Sequence, residues 1–142
     1  MSQRKVILTA LQSELKDKIT SANNYNSDLM DVRWGVCVFE ELTSKPALAF
    51  WCYNDTTEGQ FADRDDRELN IYVYGFADTD GYNTDAIHDL LDDVLYFLNN
   101  DFTYKADVYV GNAVVYEGGV QDPALVFELE IKIKYERIIA QL

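Results

Sequence analysis

Apolar positions recur with two different periods along this chain. Between residues 5 and 22, Leu8, Leu11, Leu15, Ile19 and Ala22 repeat every three or four positions, with Lys16, Asp17 and Lys18 between them. That spacing predicts an amphipathic helix, ended by Asn23, Asn24 and Asn26. Residues 32–39 are rich in β-branched and aromatic side chains, and residues 47–53 are apolar on both faces. Both runs predict strands, and the turn at 40–46 joins them as a largely covered hairpin. Residues 54–68 are polar and hold Gly59, which predicts a long surface loop. From 67 to 76 the pattern alternates, with Leu69, Ile71 and Val73 on one face and Tyr72, Tyr74 and Phe76 on the other. After a turn at 78–82 the longer period returns from 84 to 99, where Ile87, Leu90, Leu91, Val94, Leu95 and Leu98 cover one helix face. Asn83 or Thr84 is placed to cap that helix, and Asp85 complements its positive end.

The chain closes on a strand pair at 107–116 and 125–136, turned at Gly118 and Gly119. In the last strand Phe127, Leu129, Ile131, Ile133 and Tyr135 alternate with Glu128, Glu130, Lys132, Lys134 and Glu136, which predicts one buried and one wet or partnered face. The order α-β-β-β-α-β-β gives an α+β class, a mostly antiparallel β-sheet packed by two α-helices. At 142 residues the chain is one domain, residues 1–142, long enough for a substantial core.

Charge narrows the range of functions. The chain carries 25 acidic residues against 12 basic ones, a net charge of −13. With 48 % hydrophobic and 13 % aromatic residues it is too apolar for a disordered acidic tail. It lacks the basic face that phosphate or anionic lipid requires. Asp55, Glu58, Asp63, Asp65, Asp66, Glu68, Asp78, Asp80, Asp85, Asp89, Asp92 and Asp93 are opposed over that stretch only by Arg64 and Arg67. This segment therefore holds −10 of the total: a solvated surface, or one that repels an anion or meets a basic partner. Asp85, Asp89, Asp92 and Asp93 are expected on the outer face of the second helix. No apolar run is long enough for a membrane span, and the basic start, from Met1 to Lys5, lacks a secretory cleavage pattern. A cytoplasmic chain is expected, with Cys37 and Cys52 reduced.

Candidate chemistry is sparse. His88, the one histidine, could join Asp85 and Asp92 around a metal, but a boundary histidine satisfied by a neighbour fits the spacing better. Residues 78–81, Asp-Thr-Asp-Gly, resemble part of a calcium loop, yet alignment on Gly81 would put Phe76 and Ile87 at ligand positions. No phosphate-binding loop or nucleophile signature is present. No catalytic residue, cofactor or metal is therefore expected, and the reading is a non-enzyme. Tyr72, Tyr74, Phe76, Tyr109 and Tyr116 stand out instead. Their sheet face needs either a further helix or a second subunit to cover it, and aromatics are enriched at interface cores.

The sequence of elements, with the Arg-x-Leu-x-Ile-x-Val-x-Gly strand from Arg67 to Gly75 followed by a helix of about four turns, resembles the tail terminator (tail completion) proteins of tailed bacteriophages. The likeness implies a structural virion protein at the head–tail junction, assembled in the host cytoplasm. It implies a hexameric ring that caps the tail tube, ends tube polymerisation and meets the head connector, with a sheath protein as a further partner in contractile tails. DNA would pass through without specific binding, and no membrane is involved. Under that reading Asp55, Glu58, Asp63, Asp65 and Asp66 form a loop facing the tube or lumen, where carboxylates repel the duplex. Tyr72, Tyr74, Phe76, Tyr109 and Tyr116 contribute to subunit contact. The competing readings are another phage neck or connector component and a small acidic protein-binding module, a DNA-mimic inhibitor.

Overall fold

The computed structural model describes residues 2–35, 44–78, 84–117 and 125–138. Helix α1 (Gln3–Lys18) starts at Ser2, whose hydroxyl accepts from the Lys5 amide at 3.3 Å. It stops four residues short of the expected end. The Asn23 side-chain amide donates to the Lys18 carbonyl at 3.0 Å, and the short 3-10 turn Ser21–Asn23 ends on Asn24 at φ 68°. Asparagine tolerates that left-handed backbone because its short side chain bonds locally.

Five strands follow: β1 (Asp31–Trp34), β2 (Ala47–Gln60), β3 (Arg64–Ala77), β4 (Val108–Tyr116) and β5 (Leu125–Ile138). Helix α2 (Asp85–Tyr96) lies between β3 and β4 and runs into a π-helical turn, Phe97–Asp101, and a 3-10 turn, Lys105–Asp107. Thr84 stands at its N-cap without a side-chain capping bond, and Asn83 lies outside the described residues. The strands form one sheet in the order β1-β2-β3-β5-β4. The α+β class holds, but the sheet is mixed. β1 pairs parallel to β2, from Asp31 opposite Ala47 to Trp34 opposite Phe50, so these strands are not a hairpin. The β-branched and aromatic composition of residues 32–39 predicts a strand but does not encode its direction. Its residues from 36 onward lie outside the described residues.

A second correction concerns residues 54–68, expected to be a loop. β2 continues to Gln60, and the chain turns at residues 61–63 and returns at once in β3. The ladder runs from Thr56 opposite Glu68 to Gln60 opposite Asp65, and β5 supports β3 out to Arg64 opposite Ile138. Polar residues form strands here because β3 is laddered on both sides, without a break by β5 and across the Thr57/Gly59 irregularity by β2. Cross-strand ion pairs take the place of apolar contacts.

Both helices lie on the same face of the sheet. Ile7, Leu8, Leu11, Leu15 and Ile19 of the α1 segment pack with Ile87, Leu90 and Val94 of α2 over Leu48, Phe50, Leu69, Ile71, Val73, Phe127, Leu129, Ile131 and Ile133. Gly75 is required here: a Cβ at this position would stand 1.8 Å from the Phe127 ring. Asp93 departs from the expected wet stripe. It is buried, and its carboxylate accepts from the Asn26 and Ser27 amides at 3.0 and 2.8 Å, fastening the segment after α1 to α2. Asp85, Asp89 and Asp92 are exposed.

Candidate assembly surface

No helix among the described residues covers the other face of the sheet. Trp51 and Tyr53 of β2 stand beside Tyr72 and Tyr74 of β3, because paired residues of an antiparallel ladder share a face. Trp51 stacks on Tyr74 with ring centroids 4.6 Å apart, and Tyr53 stacks on Tyr72 at 4.4 Å. The Tyr53 hydroxyl donates to Glu130 at 3.1 Å. Burial of the phenol among its neighbours and the adjacent Glu130 carboxylate push its pKa up to about 12. Burial and Glu128 raise the Tyr74 pKa in the same way. These phenols remain neutral hydrogen-bond donors at physiological pH. The result is a rigid tile of rings, apolar in its body and polar at its rim.

The expected interface residues do not behave alike. Tyr109 and Tyr116 on β4 are 53 % and 55 % exposed, and Lys134 lies over the Tyr109 ring at 4.8 Å. Tyr72 and Tyr74 are half-buried within the tile. Phe76 is buried with Ala47 and Ala49 in a separate small cluster, so it offers little surface to a partner. Trp51 and Tyr53 belong to the tile although residues 47–53 read as apolar on both faces. Following alternate positions from Ala47 would have separated them from Leu48, Phe50 and Cys52.

The acidic candidates divide as well. Asp65 has no exposed surface; Arg137 and Arg67 both donate to it, at 3.0 to 3.1 Å. Burial opposes its ionisation, but the hydrogen bonds from Arg137 and Arg67 outweigh it and hold its carboxyl below the usual range. Asp55 accepts from Arg67 at 2.9 Å, from Arg4 of α1 at 3.1 Å and from the Tyr135 hydroxyl at 2.7 Å. These two carboxylates continue the core as a paired polar network at the end where the aliphatic layer stops. A loop would have left them in water; the strand register aims them at arginines. Glu58 and Asp63 are exposed and Asp66 is half-buried, so the exposed carboxylates of this group are confined to the hairpin tip. Glu58 also lies 3.5 Å from Lys134.

His88 meets Glu117 at 3.1 Å and is exposed, a boundary pair with no third ligand. Among the described residues no group of His, Cys, Asp or Glu is arranged to hold a metal. Residues 79–81 of the calcium-like turn lie outside the described residues, as does Cys37. Cys52 is a half-buried free thiol that donates to the Asn54 carbonyl at 3.2 Å, and burial raises its pKa. No described helix is long and apolar enough to cross a membrane. The chain matches no protein-family model, and a search of curated proteins finds no relative.

Proposed function

We propose that this protein is a structural subunit of a phage tail terminator ring, assembling from copies of itself, capping the tail tube and meeting the head connector. The observation that carries the reading is the ring tile on the sheet face that no described helix covers, a surface built for contact rather than for chemistry. Trp and Tyr rings held in register offer a large, stiff contact area at low entropic cost. The hairpin tip, with Asp63 exposed near Glu58 and Asp66, is the part suited to a lumen that a DNA duplex crosses without sticking.

Light scattering coupled to size exclusion, with negative-stain imaging of the chain alone and mixed with purified tail tubes, tests the proposal. Rings of about six subunits or capped tubes are expected. A monomer that leaves tubes uncapped and growing overturns it. A second reading, a small acidic module that binds a basic protein, draws on α2, whose exposed Asp85, Asp89 and Asp92 have no Lys or Arg on the same helix. It predicts tight, salt-sensitive binding by a monomer or dimer.

A further inference from the structure

The two edges of this sheet are built differently. β1 is four residues long, carries Asp31 and Arg33, and lies beside α1. Gln12 of α1 donates to the Val32 carbonyl at 3.1 Å, and Lys16 donates to the Met30 carbonyl at 2.8 Å. Beyond β1, β2 carries two irregularities, at Cys52/Asn54 and Thr57/Gly59. Cys52 and Arg67 occupy the carbonyls of Asn54 and Asp55. Shortness, charge, bulges and a flanking helix are the devices that stop an edge strand from pairing with another chain.

β4 has almost none of them. Its nine residues include no charge and no proline, and seven are exposed, Tyr109, Val110, Val114 and Tyr116 among them. β5 pairs with one side of it, and no described strand pairs with the other. Its single irregularity falls mid-strand, between Val110 and Ala113.

We propose that β4 pairs with the β4 strand of a second copy, antiparallel across a two-fold axis, so that two five-stranded sheets become one. The occupant follows from the blunted opposite edge: a second copy has no other open strand among the described residues to offer, so the contact is isologous. Charge agrees, because two chains of net −13 can approach along an uncharged strand without placing like charges opposite one another. The faces fix the register. Tyr109 and Val114 stand opposite Lys132 and Glu128 and share the open face, while Val108, Val110, Ala113 and Val115 stand opposite Ile133, Ile131, Leu129 and Phe127. Only an axis between Gly111 and Asn112 keeps like faces together at every position around the irregularity. It sets Tyr109 against Val114 of the second copy and Val110 against Ala113. A two-fold contact is distinct from the head-to-tail contact of a closed ring, so the inference does not depend on the ring reading. It pairs free subunits or joins two rings.

Light scattering on the purified full chain tests it. Val114→Lys is expected to halve the particle mass, with circular dichroism and melting unchanged. Tyr109→Glu combined with Val114→Lys is expected to restore the mass, since each new lysine then faces a glutamate of the other copy. If Val114→Lys fails to fold, Tyr109→Lys, which stands opposite Val114 in the same register, gives the same reading. A particle mass that the lysine leaves unchanged, or that the double variant fails to restore, overturns the two-fold contact while leaving the ring reading standing. A chain that is monomeric at every concentration overturns both.

Discussion

The two faces of the sheet solve the same problem by different means. The helix-covered face is aliphatic and closed: Leu69, Ile71, Val73, Phe127, Leu129, Ile131 and Ile133 are essentially inaccessible beneath α1 and α2. The opposite face is aromatic: Trp51, Tyr53, Tyr72 and Tyr74 stack on one another, and no described helix covers them. Aliphatic side chains must be covered to contribute, whereas rings with a polar rim can wait half-covered at low cost. The closed face therefore carries folding, and the ring-bearing face is the one proposed for assembly.

That division can be broken experimentally. The largest effect is expected from Phe127→Ala, which removes a buried ring and should cost about 3–5 kcal/mol in urea unfolding. Arg67→Ala comes next. It leaves Asp55 and Asp65 facing each other's strand without their shared cation, and a loss of about 3 kcal/mol is expected from the same measurement.

The Asp55–Asp65–Arg67 network at the polar end of β2 and β3 should also be acid-sensitive. Asp65 is held below the ordinary carboxylate value, so its contribution is complete above about pH 4 and lost as pH falls through its lowered native value. Melting temperatures recorded at a series of pH values should fall in that window. Arg67→Ala should raise that native value towards the unfolded one and so shrink the fall. An unchanged pH profile would mean the network does not couple to folding.

Gly75→Ala is expected to cost about 1–3 kcal/mol by overpacking against Phe127. Combined with Phe127→Leu it should cost less than the two changes summed, because they share one space. The smallest effect on stability belongs to the ring-bearing face. Tyr53→Ser should change unfolding by no more than about 1 kcal/mol yet weaken self-association measurably by light scattering. A loss of stability matching that of Phe127→Ala would erase the distinction between the faces.

Much of this layout was legible in the residues. The spacing of Leu8, Leu11, Leu15 and Ile19 gave α1, the Ile87 to Leu98 pattern gave α2, and the alternation from Phe127 to Ile133 gave the buried face of β5. The polar end of the β2–β3 hairpin was not legible, because apolar alternation is absent there and Asp55 and Asp65 have the character of loop residues. Their strand is held by neighbours far along the chain, at Tyr135 and Arg137. Asp93 differs for a related reason: helical periodicity puts it on the outer face, and the turn at Asn26 and Ser27, distant in the chain, draws it inward.

By itself the sequence determined which segments are amphipathic, which face of each is apolar, and how much charge the chain carries. These are local properties, set by side-chain chemistry and the two backbone periods. The tertiary structure decided the direction of β1, the pairing that buries Asp65, the placement of both helices on one face, and the bareness of β4. Each depends on which distant segment arrives alongside, and neither periodicity nor composition encodes that meeting.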